Sequence, residues 1–208
     1  MSTSIIIPAR YGSSRYRGKP LVKILGREMV IRVADICSKI KNVKVFIATD
    51  SKKISNVVKK NGYNYIFTSS SCLTGTDRVA EASNKIRSKI FINVQGDEPT
   101  INPKDIKKVI KAKKKFPNHV ICGYDKVHNF ENPLSINLPK VVVNSKGELI
   151  YISRAFVPGA KKTDQKIQYY KQVCIYAFNK RQLKKFYSKR KKSETESIED
   201  IEILRFFD

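Results

Sequence analysis

Three short segments carry residue types suited to chemistry on anions. The first is Ala9-Arg10-Tyr11-Gly12-Ser13-Ser14-Arg15-Tyr16-Arg17-Gly18-Lys19-Pro20, directly after the apolar run Ile5-Ile6-Ile7-Pro8. Its glycines let backbone N–H groups approach a phosphate closely, and Arg10, Arg15 and Lys19 supply positive charge. The segment is neither a Walker loop nor a GxGxxG fingerprint, which disfavours those nucleotide-binding classes. A plain basic surface loop has the same composition. The second segment is Gln95-Gly96-Asp97-Glu98-Pro99, which follows the apolar run 89–94. An acidic residue there suits Mg²⁺, which takes one or two protein carboxylates and completes its shell with phosphate and water. Asp97 or Glu98 capping the next turn is the alternative. The third is Thr74-Gly75-Thr76-Asp77-Arg78, whose backbone donors face either an anion or a base edge, or simply open a helix. Cations and a carboxylate at one edge of a sheet are what metal-assisted phosphate chemistry requires. His119 and His128 stand at no ligand or triad spacing and read as structural or surface residues.

The elements that must position these segments follow from the apolar pattern. Strands are expected at 5–7, 43–48, 63–67, 89–94 and 120–122. Helices are expected at 28–41, 51–61, from Thr76 or Asp77 to about 87, and from Pro103. Apolar strands alternating with helices predict a parallel sheet covered on both faces. In such a sheet, ligands bind beyond the carboxyl ends of the strands, where all three segments lie. The second part changes character. Residues 140–144 and 148–153 read as a hairpin around Ser145-Lys146-Gly147, followed by a strand at 171–178 and helices at 179–188 and 195–206. Segment 159–168 is the best candidate for a mobile loop. No linker or repeat interrupts the chain, so one domain over 1–208 is expected.

Composition narrows the partners. The chain has 208 residues and a formal net charge of +24. Nucleic acid, acidic lipid and polyanionic small molecules are therefore the first candidates. Most of the charge is Lys (31, against 11 Arg), in clusters at 107–115 and 184–192 whose helices keep an apolar stripe. Such lysines fall on the solvent side. Arg, the better residue for phosphate and base recognition, is scarce. No apolar run is long enough for a membrane span, so membrane insertion is not expected. Cys37, Cys72, Cys122 and Cys174 are scattered and form no CxxC, which reads as reduced thiols in a cytoplasmic protein.

The motifs add up in order. Ile7-Pro8-Ala9-Arg10-Tyr11-Gly12-Ser13-Ser14-Arg15 with Gly18-Lys19-Pro20-Leu21 closely resembles the signature of the CMP-Kdo synthetase (3-deoxy-manno-octulosonate cytidylyltransferase) family. Ala48-Thr49-Asp50, Gly75-Thr76-Asp77-Arg78 with Ala80-Glu81, and Asn93 to Pro99 follow at the expected places. So do Lys140-Val141-Val142, Tyr151-Ile152-Ser153-Arg154, Ile175-Tyr176-Ala177, and Glu196, Ile198-Glu199, Glu202 and Leu204-Arg205.

The resemblance implies a Rossmann-like α/β nucleotide-sugar transferase fold, with a mixed, mostly parallel sheet and a β-hairpin insertion. It implies a homodimeric, cytoplasmic cytidylyltransferase. That enzyme would activate a 3-deoxy-2-keto sugar acid, Kdo first, from CTP to the CMP-sugar for lipopolysaccharide or capsule synthesis. Nucleotide contacts carry over to Ala9, Arg10, Gly12, Ser13, Ser14, Arg15, Lys19, Gly75, Thr76 and Arg78. Sugar contacts carry over to Gln95, Arg154, Gln172, Tyr176 and Glu202, and Mg²⁺ to Asp97. Arg10, Lys19 and Asp97 would act in catalysis. The family usually has His at position 172, Gln at 203 and His at 72, where this chain has Gln172, Ile203 and Cys72. The family also continues with a further strand, an Asp-bearing turn and a helix, whereas this sequence stops at Phe206-Phe207-Asp208. A CTP-binding homologue without activity, and a basic nucleic-acid-binding protein, are the competing expectations.

Overall fold

A computed structural model describes residues 1–12, 16–162 and 167–208. Ser13, Ser14 and Arg15 of the first loop, and 163–166 of the candidate mobile loop, lie outside the described residues.

In chain order the elements are β1 (Thr3–Ala9), a 3-10 turn (Lys19–Leu21), β2 (Lys23–Ile24), β3 (Arg27–Glu28), α1 (Met29–Ser38), β4 (Val43–Thr49), α2 (Lys52–Lys60) and β5 (Asn64–Phe67). Then come α3 (Gly75–Ser83), β6 (Ile90–Val94), α4 (Pro103–Lys115), β7 (Ile121–Lys126), β8 (Lys140–Val143) and β9 (Leu149–Ser153). Last are β10 (Tyr170–Phe178), α5 (Lys180–Ser188), α6 (Glu194–Glu199) and a 3-10 helix (Glu202–Phe207).

The local chemistry explains most boundaries. α2 stops in a Schellman turn: Gly62 has φ 77°, its N–H donates to Lys59 O, and the Tyr63 N–H donates to Val58 O. α4 starts with Pro103 at its first position and the Asn102 side chain accepting from the Lys104 N–H. α5 opens with a capping box between Asn179 and Gln182. The single helix expected over 195–206 is instead two elements. Asp200 takes a left-handed conformation (φ 49°) that ends α6 before the 3-10 helix begins. The β2–β3 hairpin has no counterpart in the sequence reading, because two-residue strands leave no alternation to detect.

The chain divides into two compact units: residues 1–121 with 175–191, and 122–174 with 192–208. In the first, the strands run β5-β4-β1-β6-β10. β5, β4, β1 and β6 are parallel, with Ile5 beside both Val45 and Ile92. The Ile175–Phe178 end of β10 closes this set antiparallel, with Ile175 opposite Val94. All seven residues of β1 are buried. Successive strand residues point to opposite faces, so both faces of the sheet are covered at its centre. α1 packs on β1, β4 and α4, while α3 packs on β1, β4, β6 and α5. Their buried apolar residues include Val30, Ile31, Val33, Val79, Leu183 and Phe186.

Lys113 is also buried in this unit, 1% exposed. Its ammonium donates to Pro117 O (3.0 Å), His119 O (2.5 Å) and Gln182 Oε1 (2.7 Å), tying the end of α4 to α5. Burial pushes its pKa down to about 8.

The second unit holds the β8–β9 hairpin, in register Lys140 to Ser153, with β10 beside β7 and β8. The strand at 120–122 thus does not extend the parallel set; it is β7, and its partner is β10. Lys140 is fully buried and donates to Ser135 O (2.9 Å) and Arg154 O (2.8 Å). Glu196 and Arg205 form a buried, two-pronged ion pair at 2.6 and 2.7 Å. Among the described residues, no helix is long and apolar enough to cross a membrane.

Candidate functional site

In the first unit the carboxyl ends of β1, β4, β5 and β6 place four loops side by side. The loop after β1 starts with Ala9, buried at the strand end, and continues through exposed Arg10 and Gly12. It folds back on itself, for the Gly18 N–H donates to Tyr11 O at 2.8 Å. Gly18 has φ 76°, and a Cβ there would meet the Tyr11 ring at 3.2 Å. Arg17 and Lys53 lie over that ring, 5.7 and 5.1 Å from its centroid. Lys19 then begins the 3-10 turn.

Lys19 reaches the loop after β6, where its Nζ lies 2.6 Å from Asp97 Oδ2. Both side chains stay nearly half exposed, 44% and 48%. Gly96 packs so close to β1 that there is no room for a side chain. Burial, together with the negative charge of Asp97, raises the pKa of Glu98, while Lys19 opposes the shift. One exposed carboxylate faces a cation, and a second, more easily protonated carboxyl stands beside it.

Asp50, after β4, is a residue that motif matching noted without giving it a role. Its Oδ1 accepts from the Tyr11 N–H at 3.4 Å and its Oδ2 from Arg78 Nη2 at 2.9 Å. Arg78 Nη1 donates to Thr68 Oγ1 at 2.5 Å, after β5. One ion pair thus joins the loops after β1, β4 and β5 to α3. An Asp directly after a buried strand was the available signal, the same one that marks Asp97.

The structure changes the reading of the 74–78 segment. The cap is Thr74, not Thr76 or Asp77. Thr74 Oγ1 accepts from the Asp77 N–H, while Asp77 Oδ2 accepts from the Thr74 N–H. That box turns Thr76 (0% exposed) and Arg78 (2%) inward. The Thr76 hydroxyl accepts from Asn93 Nδ2 at 3.2 Å, and Arg78 is held by Asp50 and Thr68. Both side chains are thus held within the protein; Gly75 alone of the three is partly exposed.

The sugar-side candidates divide between the units. In the first, Gln95 is half-buried at the end of β6, and Tyr176 is 3% exposed, opposite Asn93 in the sheet. Tyr176 is a core residue there, not an open one. In the second unit, Arg154 does not hold an open fork. Its Nε donates to Glu199 O (2.5 Å), Nη1 to Ile136 O (2.9 Å) and Nη2 to Asp200 O (3.4 Å). Glu199 also accepts from the Ser153 hydroxyl and the Arg154 N–H, so Glu199 is the hub of this corner. The Gln172 N–H donates to Pro139 O, and its side chain bonds to Cys122. Glu202 is half-buried at the start of the 3-10 helix.

Elsewhere, an open hollow of about 470 Å³ between Leu25–Glu28 and Val57, Lys60 and Asn61 contains none of the expected residues. Its Arg27 is paired with Asp35. Among the described residues, no group of three or more His, Cys, Asp or Glu side chains gathers to hold a metal.

A mostly parallel sheet whose strand ends collect a glycine-bearing basic loop and a single lysine-paired carboxylate defines an α/β protein of the nucleotidyltransferase type. The cytidylyltransferase family model matches residues 4–208, and the chain belongs to that family. It is 35% identical over 205 residues to the 3-deoxy-manno-octulosonate cytidylyltransferase of Escherichia coli, covering 97% of this chain and 81% of that protein. It is 33% identical over 214 residues to an 8-amino-3,8-dideoxy-manno-octulosonate cytidylyltransferase of Shewanella, with 99% and 85% covered. The solved structure of a CMP:2-keto-3-deoxy-manno-octonic acid synthetase complexed with CTP superposes with a TM-score of 0.90 at 34% identity, covering all of this chain and 86% of that one.

Proposed function

We propose that this chain transfers the cytidylyl group of CTP to a 3-deoxy-2-keto sugar acid, forming a CMP-sugar and releasing pyrophosphate. The observation that carries the reading is the Lys19–Asp97 contact, which brings the basic loop after β1 onto the carboxylate after β6. Relatives named for both the 8-hydroxy and 8-amino sugars support a sugar acid of this skeleton.

Arg10 and Lys19 are accessible cations on the loop after β1, and they bind and orient the triphosphate. They also neutralise the charge that builds on the phosphate oxygens as the sugar's anomeric hydroxyl attacks the α-phosphorus in line. Asp50 keeps Tyr11, and so this loop, in place. Asp97 fits a Mg²⁺ ligand: it is an exposed carboxylate with Glu98 beside it, and that ion needs few protein oxygens when phosphates supply the rest. When bound, Mg²⁺ supplies Lewis-acid stabilisation of phosphate charge. Gln95, Gln172 and Glu202 are the polar, partly exposed candidates for the sugar acid.

The reading extends to a homodimer that works in the cytoplasm, on the route to lipopolysaccharide or capsule. Exposed Phe130, Leu134 and Ile136 in the second unit support an interface. The test is pyrophosphate release from CTP and Mg²⁺ with Kdo and with its 8-amino analogue. Release with either sugar, absent from Asp97→Ala, is expected. No release above that variant with any 2-keto-3-deoxy acid overturns the proposal.

A further inference from the structure

Three contacts fix how β7 and β10 pair. The Val127 N–H, just past the end of β7, donates to Tyr169 O at 2.9 Å, just before the start of β10. The rings of Tyr124 and Tyr170 meet edge to face, 5.5 Å between centroids. The Gln172 side chain bonds to Cys122. As residue number falls along β7 it rises along β10, so the pair is antiparallel. Counting back from Val127 and Tyr169 sets Lys126 against Tyr170, Tyr124 against Gln172, and Cys122 against Cys174. In that register Tyr124–Tyr170 and Cys122–Gln172 are diagonal neighbours on one face, as their contacts require.

The hydrogen-bond phase follows too. Val127–Tyr169 is a bonded pair, and bonded and non-bonded pairs alternate, which makes Tyr124–Gln172 and Cys122–Cys174 non-bonded. The Gln172 N–H confirms this by turning the other way, to Pro139 O at 2.9 Å. Non-bonded pairs bring Cα atoms to ~4.5 Å, inside the ~4.4–6.8 Å that a disulfide spans.

We propose that Cys122 and Cys174 are a dithiol that closes into a reversible cross-strand disulfide. The oxidant is a low-molecular-weight disulfide. One cysteine attacks it and expels a thiol; the second attacks the mixed disulfide and expels the other thiol. The two protein sulfurs lose two electrons and two protons, and the reagent leaves as two thiols. Both cysteines are partly exposed, whereas Cys37 and Cys72 are buried. Burial pushes the Cys122 thiol up to about 12, with Cys174 adding to the shift and Gln172 opposing it. Exchange runs through the thiolate, so closure is slow at neutral pH and quickens as pH rises. Closure also removes the thiol that Gln172 bonds, a consequence for catalysis that rests on the sugar-side role proposed for Gln172.

The full chain is equilibrated with oxidised glutathione at mildly alkaline pH, its remaining thiols are blocked, and its intact mass and peptide map are read. The expected product has lost two hydrogens and links the Cys122 and Cys174 peptides, and dithiothreitol reverses it. Cys122→Ser and Cys174→Ser should each abolish the link. Glutathione adducts without an internal link, or a link through another cysteine, overturn the dithiol. Steady-state kinetics of the oxidised protein separates the two claims. A several-fold rise in KM for the sugar acid with KM for CTP unchanged is expected, whereas a mapped disulfide with neither KM moved keeps the dithiol and overturns the Gln172 consequence.

Discussion

A Cβ placed on Gly96 would lie 2.7 Å from the carbonyl oxygen of Pro8. That oxygen belongs to the backbone of the central strand, which is held on its far side by β4. It cannot swing aside as a side chain would. The contact sets how near Asp97 comes to the loop that carries Lys19.

Gly96→Ala should therefore force the β6 loop away from β1. Overpacking of this kind costs about 1–3 kcal/mol. The expected result is a lowered unfolding midpoint and CTP–Mg²⁺ affinity reduced about tenfold or more, since a small misplacement of phosphate-binding groups is costly. Calorimetric titration of CTP checks the affinity. Unchanged binding would mean the loops tolerate separation.

Asp97→Asn separates function from stability. Lys19 and Asp97 are nearly half exposed, so losing their attraction should change stability by less than about 1 kcal/mol. Turnover should fall by about 10²-fold or more, as the proposed role of this carboxylate in organising phosphate charge requires. Urea melts and pyrophosphate release, measured on one preparation, test the split.

Asp50→Asn should do the reverse. Arg78 and Asp50 are 3% and 15% exposed at their side chains. Removing the carboxylate charge leaves a buried guanidinium without its counterion, a loss on the order of 3 kcal/mol. Differential scanning calorimetry should show a midpoint lower by about 6–12 °C. Arg78→Lys should be similarly costly, since one ammonium cannot replace a fork that holds both Asp50 and Thr68.

Lys113 gives the fold a pH dependence on the alkaline side. Folded, it releases its proton near 8, against an ordinary value of 10.5. Between those values the unfolded chain holds more protons, so stability rises as pH increases from 8 towards 10.5. In Lys113→Met that rise should vanish, while the baseline drops by about 1–3 kcal/mol as three acceptors lose their donor. Urea midpoints at pH 7, 9 and 10 for both proteins provide the comparison.

The strands were legible where apolar runs are bounded by turn residues, and the residues just past β1 and β6 followed from them. Arg10, Lys19 and Asp97 lie in the loops just past strand ends, a placement that the apolar runs alone predict. The burial of Thr76, Arg78 and Tyr176 was not legible, because their orientation depends on a cap and a sheet register that one strand does not reveal. The Thr74–Asp77 box turned two of them inward, and β10 carried the third into the core. The Arg154 fork is met by main-chain oxygens of residues 136, 199 and 200, which the sequence did not announce. Those neighbours are distant in sequence. β7 was legible as a strand but not as a partner of β10, because pairing is decided by what folds in later. The charge of +24 looked like a summons to nucleic acid, but three of the Lys107–Lys115 cluster's neighbours on α4, Ile106, Val109 and Ile110, form a buried stripe that leaves most of its lysines facing solvent.

Lys113 and Lys140 stand apart from that solvent-facing population. Each is sealed inside a different unit and fastened to carbonyl oxygens. An amine-acylating reagent should modify the surface lysines at once and reach these two only when their own unit opens. Among the described residues each unit thus carries one silent amine, and the order in which the two become labelled in rising denaturant would time the opening of each without any engineered probe.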